Sequence, residues 1–389
     1  MVAIRRLSDD DLRELSQRTD PLGVVSVYQG TDPRQDPNLQ QTAIEVKNRF
    51  RELQRRVAED AGADPALAAA LDRLPPRLAG LVSPENAARG RISFFALGSD
   101  WVLQLDSPMP VPTRLVLDDG PFIHPLLELL DEGRAAGVVL VSADEARLLE
   151  WRVGSLQLLS RMERQYLQAP HERSGQIGGG PEGQFHTPMR EQRRAREDDR
   201  MQRFLTEAAR VAGELAGGHG WERILISGGE HWTEATVAKF PPGLRNKLYA
   251  DTRVLSGLDD AALATAVTEW AHNQHTEQAG QLLGRVRDAA GSGDGALGLS
   301  EVVAALNAGR VAHLVYDPNV RYTGTIGADG ALYSGDEVGP NGLPGTPEPR
   351  LTERMVERAL QTAARVSPVA GAATTELSDA DGAAALLRW

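Results

Sequence analysis

Apolar residues recur along this chain with two periods, and the places where one period gives way to the other mark its elements. The β-branched run "VVSVYQ" (24–29) predicts a strand after a helix at 11–17. Residues 40–59 set Ile44, Val46, Phe50, Leu53 and Val57 at helical spacing, and a second helix is predicted over 65–81. "RISFFALGSDWVLQLD" (91–106) alternates on both sides of Gly-Ser-Asp, which is the pattern of a hairpin. The first part of the chain is thus a mixed α/β domain closing near Gly133.

From 137 to 162 three short alternating runs separated by turn residues predict a meander. A glycine-rich stretch, "HERSGQIGGGPEGQFHT" (171–187), predicts an exposed loop, and a long helix follows it directly. Thr187 is placed as its N-cap and Pro188 as its first residue, with Gly217 and Gly218 marking its end. Met201, Phe204, Leu205, Ala208, Val211, Ala212 and Leu215 form one stripe on this helix, whereas "REQRRAREDDR" (190–200) is polar all round. At 1.5 Å per residue, 188–216 spans roughly 43 Å, so the polar half is expected to project from its domain with the loop at its tip.

Downstream, "RILISGG" (223–229) reads as a buried strand entering a glycine turn, and 254–290 carries a helix long enough to bridge two domains. Helix 299–309, strand 311–317, a Gly/Pro-rich insertion (324–349), helix 351–365 and the closing "DGAAALLRW" alternate in a way that predicts an α/β/α sandwich. The expectation is an α/β (mixed α+β) protein of three domains: 1–133, 134–275 and 276–389.

Composition narrows the chemistry. With 41% hydrophobic and 25% charged residues the chain is of the ordinary globular kind. The absence of cysteine removes disulfides, thiolate metal sites and cysteine nucleophiles. No run reaches the roughly 18 apolar residues that span a bilayer, and the N-terminus lacks a signal-peptide core, so a cytoplasmic protein without membrane partners is expected. The net charge of −12 argues against a general nucleic-acid coat. It is unevenly spread: Arg173, Arg190, Arg193, Arg194 and Arg196 face only Glu182 and Glu191 in the same window, which is therefore +3 and leaves the remainder at −15. A localised basic patch is what lets an acidic protein dock on RNA.

Other constellations carry less. "GQIGGGPEG" lacks the Gly-Lys-Ser/Thr of a phosphate loop, no Gly-X-Ser-X-Gly elbow is present, and His272 with His275 lacks a third convergent ligand. No metal and no cofactor is expected.

The order of meander, glycine loop with Gly183-Gln184, arginine-rich helix and strand ending in Ser-Gly-Gly resembles the central domain of the archaeo-eukaryotic class I peptide-chain release factors and Pelota. Bacterial relatives of that family include Vms1-like release factors and Balon-like hibernation factors. "GALGLSEVVAALNAGRVAHLVYD" (295–317) and the closing "DGAAALLRW" are similar to the family's third domain. The resemblance implies a Gly-Gly-Gln loop acting on peptidyl-tRNA in the ribosomal A site. It also implies contact with ribosomal RNA through the arginines, and a translational GTPase as a further partner. Gly183 and Gln184 then hold the catalytic positions, and Gly178, Gly179 and Gly180 give the loop its backbone freedom. Glu182 stands where the family has its first glycine. The stop-codon element Asn-Ile-Lys-Ser is missing from the first domain, which argues against codon-specific termination.

Release needs placement and electrostatic stabilisation more than a strong nucleophile, and an uncharged glutamine amide among glycines suits that task. Three readings stand at this point: a peptidyl-tRNA hydrolase of ribosome rescue, a non-catalytic A-site factor of stress or hibernation, and an α/β protein unconnected with translation.

Overall fold

The computed structural model describes all residues except 1, 5–6, 33–38, 60–63, 82–87, 165–185, 336–344 and 370–371. The fold is mixed α/β and divides into two compact units, one of residues 134–269 and one in which residues 1–133 are joined by residues 270–389.

In chain order the first segment holds β1 (Val2–Ala3), α1 (Asp9–Gln17), β2 (Val24–Gly30), α2 (Gln40–Glu59), α3 (Pro65–Leu71), α4 (Pro75–Ala79), β3 (Gly90–Ala96), β4 (Val102–Ser107), β5 (Arg114–Asp118) and α5 (His124–Glu132). Its sheet runs β1-β4-β3-β2-β5, antiparallel except where β1 joins β4. Helix α2 buries Val46, Phe50 and Leu53 against Val25, Val27 and Phe95. Ile44 is not in that stripe: it is 60% exposed, because it sits two residues, or about 200°, from Val46. Thr42 continues the buried row instead, and its hydroxyl donates to Gly30 O at 3.0 Å. The single helix expected over 65–81 is two, because Pro75 and Pro76 have no N–H to continue the ladder.

The central unit holds β6 (Ala136–Val141), β7 (Glu145–Arg152), β8 (Ser155–Glu163), α6 (His186–His219), β9 (Arg223–Ser227), α7 (Glu230–Val237) and β10 (Leu248–Asp251). The long helix α8 (Asp260–Ser292) begins in it and passes into the other unit. The sheet order is β10-β9-β6-β7-β8, parallel through the first three and antiparallel from β6 to β8. One face is covered by α6, whose Met201, Phe204, Leu205, Ala208, Ala209, Ala212 and Ala216 meet Val139, Val141, Ala146 and Leu148. Trp151, on the other face, donates its indole N–H to Thr268 Oγ1 of α8 at 3.1 Å.

The last segment adds β11 (Gly295–Leu297), α9 (Leu299–Asn307), β12 (Val311–Tyr316), β13 (Gly324–Ile326), β14 (Leu332–Ser334), β15 (Thr346–Glu348), α10 (Leu351–Gln361), β16 (Arg365–Pro368), α11 (Ala372–Ser378) and β17 (Ala383–Leu387). Its sheet, β11-β17-β12-β16, takes α8 on one face, where Leu282, Leu283 and Val286 pack against Val315 and Ala384. Leu314 and Ala385 on the opposite face are fully buried as well. The Gly/Pro-rich insertion is not featureless: β14, β13 and β15 form a small antiparallel sheet, with 336–344 outside the described residues.

Candidate functional site on the long helix

Helix α6 is 34 residues long, about 51 Å at the standard rise. It starts at His186, so Thr187 lies in its first turn rather than ahead of it as N-cap, and Pro188 is its third residue rather than its first. It also runs through Gly217 and Gly218 to His219. No neighbour lies within 4 Å of where a Cβ would sit on either glycine, and the stop comes instead from Gly220, in the left-handed region at φ +66. Trp221 N then donates to Ala216 O at 3.0 Å, closing a Schellman turn.

The base of the helix is fixed by a carboxylate. Glu150 on β7 accepts from His219 Nδ1 at 2.8 Å and from the Trp221 indole N–H at 3.1 Å, and Arg152 Nη2 donates to His219 O at 2.9 Å. The Arg152 bond satisfies a carbonyl that the helix end leaves open. The Trp221 ring is fully buried and lies flat over Gly137 on β6; a Cβ there would sit 2.1 Å from a ring carbon.

A second pin lies toward the other end. Arg164, directly after β8, donates through Nη2 to Glu197 O at 3.2 Å and to its carboxylate at 2.7 Å. The helix is thus held at Glu197 and at His219, and residues 186–196 form the part beyond the outer pin. Arg164→Ala is expected to raise amide exchange about tenfold over 194–200 while leaving 205–216 unchanged, since a charge-assisted bond contributes on the order of 1.5–3 kcal/mol. Equal exchange in both stretches would show that the pin carries no load.

Charge along α6 is segregated. In the stretch after the pin, Arg203 pairs with Asp199 at 2.7 Å and Arg210 with Glu207 at 2.6 Å, and the Arg210 bond holds the Glu207 carboxyl below its usual range. Ahead of the pin stand Arg190, Arg193, Arg194 and Arg196 with Glu191 alone, and no acid occupies the first turn. Arg194 and Arg196 are exposed. Arg190 and Arg193 are placed by the helix alone. Arg173, Gly178, Gly179, Gly180, Glu182, Gly183 and Gln184 lie outside the described residues.

Sequence reasoning missed Glu150, His219 and Arg164. Only Glu150 left a signal: Ala146, Leu148 and Glu150 share a strand face by their period of two, so a carboxylate occupies a core position. Among the described residues no group of three or more His, Asp or Glu is arranged for a metal ion, and His272 of α8 bonds Glu132 at 2.8 Å. No described helix is long and apolar enough to cross a membrane.

Comparison with known proteins singles out the same region. Residues 121–276 match the profile of "Bacterial archaeo-eukaryotic release factor family 10", a span that contains the whole central unit. Over that segment the chain is similar to the bacterial archaeo-eukaryotic release factors. No curated protein matches the sequence. Among solved structures, a model of ribosome-bound archaeal Pelota and ABCE1 is similar at 11% identity over 100% of this chain and 95% of that one, with a TM-score of 0.42. Dom34 of S. cerevisiae, a translation termination-like factor, is similar at 11% identity over 77% of this chain and 80% of its own, with a TM-score of 0.39. The archaeal translation termination factor aRF1 shares 17% identity over 98% and 99% of the two chains, with a TM-score of 0.24.

Proposed function

We propose that this chain is a ribosome-binding, release-factor-like protein of ribosome rescue or quality control, which brings Gly183-Gln184 to the peptidyl-tRNA ester in the A site. The observation that carries the reading is the end of α6. Four arginines cluster on the outer stretch of a rod pinned at two points, with one acid among them and most of the helix's acids placed behind the outer pin. Such an arrangement costs the free protein stability and gains it back against a polyanion. Kinship of residues 121–276 with release factors supports RNA of the ribosome as that polyanion. Delivery by a translational GTPase belongs to the same proposal.

Reversing Arg193, Arg194 and Arg196 to glutamate tests it. The triple variant is expected to lose co-sedimentation with ribosomes at moderate salt, because six units of charge change at one end of the helix. Pelleting equal to that of the wild type would reduce the patch to a solvated helix face.

One residue favours a second reading. Glu182 replaces the first glycine of the family motif, and a carboxylate beside RNA phosphates is repelled. In that reading the protein occupies the A site during stress or hibernation and hydrolyses nothing.

A further inference from the structure

Residues 1–133 and 270–389 meet along a polar joint that buries ionisable groups. His124, at the start of α5, shares a hydrogen bond of 2.8 Å between Nδ1 and the Tyr316 hydroxyl at the end of β12, and both side chains are buried. The rings meet edge to face at 5.6 Å, and Phe122 lies 5.0 Å from the imidazole on its other side. Glu128, one turn along α5, has a buried carboxyl oxygen with no hydrogen-bond partner. Around this centre runs a set of ion pairs: Arg350 with Asp118 and, at 3.1 Å, with Asp119; Arg354 with Asp119 at 2.7 Å; Arg365 with Asp131 at 3.5 Å. Arg13 of α1 donates to Leu360 O of α10 at 3.2 Å.

Buried ionisable groups are a costly way to make a permanent joint, since apolar side chains of the same size hold at least as well. We propose that this joint is an acid-opened latch, with the buried His124–Tyr316 pair as its sensor and the Arg350/Arg354–Asp118/Asp119 pairs as its clasp.

The groups facing the sensor set the direction. Burial, with the nearby Arg114 of β5 adding to it, holds His124 down at about 4, whereas a freed imidazole returns to 6.5. His124 therefore contributes its full share to the closed joint above pH 6.5 and loses it as the pH falls through 4, a contribution of up to about 300-fold in the closing constant. Glu353 Oε1 of α10 lies 4.0 Å from His124 Nε2, but burial pushes its own carboxyl up, so it offers an imidazolium little counter-charge in acid. Glu128 and Glu357 are also pushed up by burial, as is the Tyr316 phenol. Asp317, Asp131 and Glu132 complete the surrounding charges. The raised glutamates act in the opposite sense to His124: they strengthen the closed joint as they take up protons. A small cavity lined by Asp118, Ile123, His124 and Glu353 lies beside the imidazole.

Because the chain has no cysteine, Gln17→Cys and Gln361→Cys, both exposed and at the ends of α1 and α10, take a dye pair for energy transfer without other labelling. Transfer in the full-length protein is expected to fall as the pH drops from 7.5 to 4.5. His124→Gln should flatten or invert that slope, since only the carboxyls then titrate, and Glu128→Gln should steepen it. Asp119→Lys should open the joint at neutral pH, and adding Arg350→Glu should close it again. An independent reading comes from the wild-type chain, where the His124 ring protons should titrate only together with opening. A slope unchanged by His124→Gln, or ordinary titration near 6.5 while the joint stays closed, overturns the proposal.

Discussion

Replacing Gln184 with alanine is expected to lower peptide release from stalled ribosomal complexes by about 10²–10³ while leaving ribosome affinity nearly unchanged. The two effects separate because they come from different residues. Binding is assigned to the arginines at the end of α6, ahead of the outer pin set by Arg164 and Glu197. The transition state is assigned to one uncharged amide. Glu182→Gly restores the glycine pair ahead of Gln184 and removes a repelled carboxylate, so release should be equal to the wild type or faster. If the wild type releases nothing and Glu182→Gly gains release, the natural protein is a binder with a disabled loop. If neither releases peptide and both bind, hydrolysis is excluded and A-site occupancy is the function that remains.

Gly137→Ala should destabilise the central unit by about 3 kcal/mol or more, at the upper end of what overpacking costs. The added methyl carbon would lie 2.1 and 2.3 Å from two carbons of the Trp221 ring. That ring has no room to retreat, being fully buried and tied through its indole N–H to Glu150. Trp221→Ala alone should cost about 3–5 kcal/mol through the cavity it leaves. Combined, the two should cost much less than their sum, since removing the ring removes the clash. Hydrogen-exchange protection of β6 and β9 amides measures all three variants. Additive losses would mean that Gly137 is required for a reason other than the indole.

What could be read in advance follows the range of the interactions. The strands of the meander, the hairpin at 91–106, α2 and the buried stripe of α6 all follow from periods of two or 3.6 within one segment. Local rules also explain the errors. Ile44 fits an apolar count but not the angle of the buried row, and the Pro75-Pro76 break was written in the sequence. Gly217 and Gly218 misled because glycine ends a helix only where the backbone turns left-handed, and the chain does so at Gly220. Among the candidate site residues, the segregated arginines were legible as a charge pattern. The pins were not: Arg164 meets Glu197 across 33 residues and Glu150 meets His219 across 69, and no local pattern encodes either pairing. The small sheet in the insertion at 324–349 left no periodic signal, because three-residue strands are too short to show alternation.

The joint that unites the two ends of the chain also constrains the order of its making. Tyr316 lies 192 residues after His124, and Arg350 lies 231 after Asp119. At translation speeds of 5–20 residues per second, the first segment waits roughly 10–40 s on the synthesising ribosome before the partner of its buried histidine has been polymerised. The central unit, complete in itself between them, is free to fold during that interval. A message stalled or truncated before β12 is made would therefore yield a chain with a folded middle and a first segment whose Asp118, Asp119 and His124 have nothing to close upon, a natural substrate for quality-control proteases.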